Sequence, residues 1–347
     1  MSLPENRPTD AAASLPATMT AWPQDRYGGP DAVRQARVDV PSPGTGEVLL
    51  RVRATALNSG DIHVMRGEPR AVRLAFGLRR PRTAVRGIDV AGQVVAVGAG
   101  VTRFRVGDEV VGEIPGGGLA EYAVAPVGRL ALRPTEVGPV AAAALPVSGG
   151  TAWLALDKAG IVPGSAAGRR VLVVGASGGV GSFAVQLAAH RGAEVWALAG
   201  RRNLDIVERL GAARVFDYRE VQPGSAELPD GTFDAVIDIA GEPPLALAQR
   251  LLRDGGTMVL VGGEGGSILG PLRRIAAGAL RSIGSKRRII GLAAVTSAEL
   301  TAGLVALAAA GDLDPLVKRT WPLAEAGEAL AHVDAGHTVG KVVVTVP

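Results

Sequence analysis

The sequence predicts an α/β fold in two units: a curved, barrel-like β-domain and a parallel sheet covered by helices on both faces. Three observations predict it. Short β-type runs punctuated by glycine occupy residues 20–132, and from residue 171 the rhythm changes to strand, glycine, helix, strand. Several runs in that second region are apolar without alternation, as expected of strands buried on both sides. A chain of 347 residues has room for about two domains of ~150 residues each.

The elements follow in order. Residues 1–18 lack a charged-then-apolar signal pattern and read as a disordered lead-in, with a cytoplasmic location expected. GEVLLRVRATAL (46–57), GIDVAGQVVAVGAG (87–100), GDEVVGEI (107–114) and LAEYAVAPVGRLALR (119–133) read as strands. Gly87, Gly92, Gly98, Gly100 and Gly107 mark bends or bulges, so this sheet should curve. VLVVG (171–175) leads into a helix over 179–191, then EVWALAG (194–200), a helix over 203–210 and ARVFDY (213–218). FDAVIDIAG (233–241), GGTMVLVGG (255–263) and RRIIGLAAV (287–295) supply further strands. Helices near 297–310 and 323–333 precede a closing strand, KVVVTV (341–346).

Composition removes several chemistries. With no cysteine there are no disulfides, thiol nucleophiles or thiolate metal sites. The four histidines, His63, His190, His332 and His337, show no metal-ligand spacing, so no metal is expected. A formal charge of +4 describes solubility better than a nucleic-acid partner. No apolar run approaches the ~20 residues of a membrane span.

The turn after the first strand of the second unit carries the most information. Ala176, Ser177, Gly178, Gly179, Val180 and Gly181 read as A-x-G-x-x-G, the dinucleotide fingerprint with alanine in first place. The chain must turn tightly, present backbone N–H groups to a pyrophosphate, and pack the helix closely on the strand. At the end of the next strand, where an acid would hold the ribose 2′-hydroxyl of NAD, stand Gly200, Arg201 and Arg202. Two guanidinium groups clamp a 2′-phosphate and no carboxylate follows to repel it, which favours NADPH. A solvated pair at a helix start is the plainer alternative.

With PGTGEVLLRVRATALNSGD (43–61), GIDVAGQVVAVGAGVTRFRVGDEVVG (87–112), AALPVSGGTAWLAL (143–156), VLVVGASGGVGSFAVQLAAHRGAEV (171–195), FDAVIDIAG and GKVVVTV (340–346), the chain resembles the medium-chain dehydrogenase/reductase superfamily. Within it, the zinc-independent, quinone-oxidoreductase-like branch is the nearest match. The resemblance implies a GroES-like β-barrel domain (19–143 and 296–347) and a Rossmann doubly wound parallel sheet domain (144–295) between its halves, with the active cleft at their junction. It implies that Ala240, Gly241, Gly262, Gly263 and Lys341 also contact the cofactor. A homodimer through the strand near 287–295 is implied as well.

The departures from the superfamily are informative. Zinc-dependent relatives carry a cysteine where Asn58 stands, Gly-His-Glu where this chain has Gly87, Ile88 and Asp89, and another cysteine near Val147. Asn, Ile and Val do not hold zinc, so the expected reaction is hydride transfer to an already electron-poor acceptor. By resemblance Asn58 lies near the nicotinamide and donates to a substrate carbonyl; a turn-forming Asn is the alternative. Thr151 lies beside the nicotinamide or caps a helix. His63 is a proton relay or a surface histidine, and Asp61 belongs to the same segment or simply holds the loop.

Seven arginines (66, 70, 73, 79, 80, 82 and 86) meet one acid, Glu68, between Arg66 and Arg86. They read either as solvated surface or as a lure for an anionic or polyphenolic substrate. The expectation is an NADPH-dependent reductase of a quinone or α,β-unsaturated carbonyl, with a small-molecule substrate and neither nucleic acid nor membrane as partner. The alternatives are a pathway-specific tailoring reductase or cyclase and a low-turnover NADPH-binding sensor.

Overall fold

The computed structural model describes residues 15–241, 243–262, 272–336 and 338–347. The expected lead-in lies outside the described residues up to position 14, and Thr18 already opens a strand. That strand, β1 (Thr18–Ala21), pairs antiparallel with β2 (Ala36–Asp39). The barrel follows with β3 (Glu47–Leu57), β4 (Asp89–Val97), β5 (Glu109–Glu113), β6 (Tyr122–Pro126) and β7 (Leu130–Leu132). Between β3 and β4 lie α1 (Ser59–Arg66) and α2 (Val72–Phe76), and α3 (Pro139–Ala143) and α4 (Pro146–Lys158) lead out of the barrel.

The second unit contains β8 (Arg170–Val174), α5 (Gly179–His190), β9 (Glu194–Ala199), α6 (Leu204–Arg209), β10 (Arg214–Asp217), β11 (Phe233–Asp238), α7 (Leu245–Leu251), β12 (Leu252–Leu260), α8 (Leu272–Ser282) and β13 (Arg288–Gly291). Its six strands lie in the order β10-β9-β8-β11-β12-β13, all parallel. The chain then forms α9 (Ala298–Ala310), β14 (Arg319–Pro322), α10 (Ala326–Asp334) and β15 (Val342–Thr345). Strand β15 returns to the barrel and pairs antiparallel with β3, Val342 opposite Leu57 and Thr345 opposite Ala54.

Two consequences position the site. The strand order reverses between β8 and β11, so a crevice opens beyond the carboxyl ends of those strands, where open α/β sheets bind ligands. The β3–β15 register also sets Lys341, one residue before Val342, beside Asn58, one residue after Leu57.

Packing between the units is continuous. Phe183 of α5 and Val171 and Val173 of β8 share one buried cluster with Ala54, Ala56, Ala91 and Val343 of the barrel strands and Leu304 of α9. Small residues on the barrel side let the helices approach, which is how a chain with 3% aromatics fills its interior. The strand expected over 287–295 stops at Gly291. Residues beyond it leave the sheet to reach α4, where Thr296 Oγ1 donates to the Pro146 carbonyl at 3.3 Å. Among the described residues no helix is long and apolar enough to cross a membrane.

Candidate active site at the domain junction

The dinucleotide turn is built by sterics. Gly175 has φ +84°, a left-handed conformation that side chains rarely adopt. A Cβ on Gly181 would stand 2.1 Å from the Gly175 carbonyl oxygen and 2.7 Å from Ala176 Cα. Only glycine lets α5 start this close to the strand. Gly178 is the N-cap of the helix, with extended φ and ψ and no side chain in front of the first-turn N–H groups. Those unpaired N–H groups and the helix dipole favour an anion there. A nicotinamide dinucleotide therefore fits this cradle.

Other expected cofactor residues gather at the same edge. Gly241 N–H donates to Asp238 Oδ1 at 2.8 Å, and a Cβ on Gly262 would lie 2.5 Å from the Ile239 carbonyl oxygen, so both loops lie closely against the end of β11. Ala240 lies against Gly175, its nitrogen 3.2 Å from a Cβ built there. Gly263 lies outside the described residues.

A buried polar cluster stands next to this turn. Asn58, Asp89, Ser148 and Lys341 are 8%, 0%, 3% and 3% exposed. Lys341 Nζ donates to Asn58 Oδ1 and, at 3.0 Å, to Ser148 Oγ, and lies 3.5 Å from Asp89 Oδ2. Asn58 Nδ2 donates to Asp89 Oδ2 at 3.0 Å and to the Ala56 carbonyl at 3.4 Å, while Val147 N–H donates to Asp89 Oδ1 at 3.0 Å. The Lys341 stem connects cluster and turn: a Cβ on Gly179 would lie 3.2 Å from both Lys341 Cδ and Ser148 Oγ. Gly340 N–H meanwhile donates to the Ser177 carbonyl at 2.9 Å.

Burial pushes the Asp89 carboxyl up to about 7, against the pull of Lys341, Asn58 and the Val147 amide. It pushes the Lys341 ammonium down, opposed mainly by Asp89. Burial thus disfavours both charges of the pair, which is arranged around the side chain of Asn58.

With this geometry in view, the comparisons are specific. The family model for the alcohol dehydrogenase GroES-like domain matches residues 44–135, and that for zinc-binding dehydrogenase matches 210–344. The chain is 36% identical to the chloroplast envelope quinone oxidoreductase homolog of Arabidopsis thaliana, over 94% of this chain and 98% of that one. The chain belongs to the quinone-oxidoreductase-like branch of the medium-chain dehydrogenase/reductase superfamily. It is also 30% identical to the NADPH-dependent alkenal/one oxidoreductase of the same plant, over 96% of this chain and 81% of that one. The quinone oxidoreductase from Coxiella burnetii superposes with TM-score 0.81 at 27% identity, covering 95% of this chain and all of that one. This chain is therefore an NAD(P)H-dependent oxidoreductase built from a GroES-like barrel and a Rossmann sheet.

In this oxidoreductase the sequence-predicted candidates separate. Asn58 is in the cluster, with its amide nitrogen donating to Asp89 Oδ2 and the Ala56 carbonyl. Asp61 binds backbone: its two oxygens accept from Asn58 N–H at 3.0 Å and Gly87 N–H at 2.9 Å. Burial raises its pKa despite both hydrogen bonds. His63 is not brought to the cluster; it lies on the exposed side of α1, its Nδ1 3.0 Å from the Glu68 carbonyl. Thr151 is half-buried inside α4, which begins at Pro146, so it caps no helix. Among the described residues no three His, Cys, Asp or Glu side chains come together.

The arginine pair needs a correction. Absence of a carboxylate in the chain after β9 is not absence in space. Parallel pairing sets Asp217 of β10 opposite Ala199, and Arg201 Nε lies 3.4 Å from Asp217 Oδ2 while its Nη2 pairs with Glu220. Arg202 is exposed and forms no ion pair among the described residues.

Sequence reasoning missed Ser148, Tyr218 and the Asp89–Lys341 pair. Tyr218 lies beside Gly200, its ring 3.7 Å from a Cβ built there, with the Arg219 guanidinium 4.8 Å from the ring centre. A charge inside each of the apolar runs IDVAG and GKVVVTV was the available signal for the buried pair.

Proposed function

We propose that this oxidoreductase uses NADPH to reduce a quinone or an α,β-unsaturated carbonyl compound without zinc. The observation that carries the reading is the buried Asn58–Asp89–Ser148–Lys341 cluster against the dinucleotide turn, with Asn58 standing where zinc-dependent relatives carry a cysteine. The bound nicotinamide would supply hydride to an electron-poor carbon. Conjugate reduction then needs one proton and stabilisation of the developing enolate. Ser148 Oγ, which accepts from Lys341 at 3.0 Å and donates to Asn58 Oδ1 at 3.3 Å, is the hydroxyl that would turn from Asn58 to lend that proton and regain it from the ammonium. Asn58 holds both groups in register.

Ser148→Ala is expected to lower kcat by about 10²-fold, the usual yield of a positioned proton donor, with KM little changed. Steady-state kinetics with a conjugated enone reads this, and an unchanged kcat removes Ser148 from the reaction. The whole reading is tested by mixing purified protein with NADPH and a panel of quinones and enals. Absence of reduced-nicotinamide consumption across the panel would overturn it.

NADPH rather than NADH is supported by the exposed guanidinium of Arg202, since Arg201 already serves Asp217 and Glu220. Arg202→Ser should lower the NADPH/NADH ratio of kcat/KM by roughly 10–100-fold, the worth of a charge-assisted hydrogen bond. A ratio that stays put would shift the choice of cofactor to other groups.

A homodimer is part of the proposal, supported by β13 at the edge of the parallel sheet and by Leu280, Ile283 and Val295, which are 69%, 76% and 66% exposed. Sedimentation tests it. A cytoplasmic location is also proposed, and cell fractionation tests that.

A further inference from the structure

One buried charge is left without a role by the reductase chemistry. Arg86, the last arginine of the basic stretch, is 3% exposed and forms no ion pair among the described residues. Its Nη2 donates to the Thr83 carbonyl, and its Nε has no hydrogen-bond partner. Burial depresses its pKa, with Asp61 the main group opposing the shift. Asp61, however, directs its oxygens to the amides of Gly87 and Asn58. A buried cation without a paired anion is costly, and such a site is completed by a ligand of opposite charge.

Arg86 lines a cavity of about 390 Å³ whose wall includes Gly60 and Ile88, neighbours in the chain of the segments that carry Asn58 and Asp89. Val64, Ile114 and Pro115 supply apolar wall. Arg82 and Arg129 also line it, and Glu113 is held by Arg129 at 3.4 Å. Three arginines against Asp61 and Glu113 leave one positive charge in excess. Across Pro81 and Arg82 a broader groove of about 860 Å³ bears Arg26, Arg34, Arg79 and Arg80 against Asp25, which Arg26 holds at 3.4 Å, so the approach keeps a positive excess too.

We propose that the acceptor reduced by this enzyme carries a carboxylate, which sits against Arg86 in this cavity. The inference rests on the reductase reading for its chemistry but on the cavity for its charge. A planar guanidinium meets a carboxylate through parallel N–H···O bonds, and the single excess charge suits a monoanion.

The test uses trans-β-acetylacrylate and its methyl ester, which share one conjugated ketone and differ in charge. Hydride from NADPH goes to the carbon beside the carboxyl group and a proton to the carbon beside the ketone, giving levulinate or its ester. Wild-type kcat/KM is expected to be at least about tenfold higher for the acid. Arg86→Gln should bring the acid/ester ratio to about one by raising KM for the acid, and Arg86→Lys should retain part of the preference. An ester reduced as well as the acid overturns the anion site and leaves the reductase reading standing. So does a preference that survives in folded Arg86→Gln. If neither compound is reduced, calorimetry with levulinate in the presence of NADP⁺ decides: heat lost in Arg86→Gln upholds the anion site while the redox reading falls, and no heat with wild type overturns the site. Should Arg86→Gln not fold, the wild-type ratio and the levulinate titration still decide.

Discussion

Gly181→Ala is expected to raise the dissociation constant for NADPH by at least about 100-fold. The new Cβ would stand 2.1 Å from the Gly175 carbonyl oxygen, 2.7 Å from Ala176 Cα and 2.9 Å from Ala176 C. All three atoms are backbone of the turn that receives the diphosphate, so no flexible side chain can give way. Either the turn or the first turn of α5 must shift by about an ångström, and a shift of that size costs roughly 10²-fold where geometry is tightly set. Overpacking of this kind also destabilises a fold by about 1–3 kcal/mol.

Gly178→Ala separates the two effects. Its Cβ would meet the Gly175 oxygen at 3.6 Å, an ordinary contact, and its φ of −78° suits any residue. Unfolding of that variant should match wild type, so any affinity it loses reports the approach of the ligand alone. Calorimetry with NADPH, paired with thermal unfolding, reads both. Wild-type affinity in Gly181→Ala would remove this turn from cofactor binding.

Lys341→Met is the second large effect, and it depends on pH. Removing the cation leaves Asp89 buried without its partner, a change that costs about 3–5 kcal/mol when a buried pair is broken. The Asp89 carboxyl stands at about 7 in the folded protein against 3.8 for the free group. Between those values the folded chain keeps a proton that the unfolded chain has released, so this group makes stability fall as pH rises through the window. Without Lys341, whose charge pulls the value down, the window extends further upward. The deficit of the variant should therefore be small at pH ~6, where Asp89 is protonated, and should grow toward pH ~8.5.

Denaturant unfolding of both proteins at the two pH values checks this. An equal deficit at each would assign the loss to packing alone. Adding Asp89→Asn to the variant should recover most of the stability at high pH, because the orphaned charge is gone. The same variant should lose kcat by about 10²–10⁴-fold, since the Ser148 hydroxyl no longer has a proton to regain.

The legible parts of this molecule are those in which neighbours in sequence do the work. The Ala176–Gly181 turn was readable because a tight strand-to-helix passage demands small residues at fixed spacing, and the structure uses Gly181 in that way. The long apolar runs β8, β11 and β12 announced a sheet covered on both faces, and the order found is the doubly wound one. Asn58 and Asp61 were identified as one segment; Asp61 holds the loop, one of its two readings, while the partners of Asn58 come from β4, α4 and the residue before β15 and were not legible. His63 takes the surface position that was one of its two readings, on the exposed side of α1.

The pattern of local propensities and glycines determined, without any coordinates, the two-unit architecture, the cofactor turn and the missing cysteine and histidine ligands. Tertiary structure alone decided that Lys341 reaches Asn58 across 283 positions of chain, that Asp217 occupies Arg201, and that Arg86 is enclosed beside a cavity. Periodicity is a property of neighbouring residues, whereas the charge and proton balance of a buried site depends on which distant side chains share a water-free volume. Strand register and helix packing set that sharing.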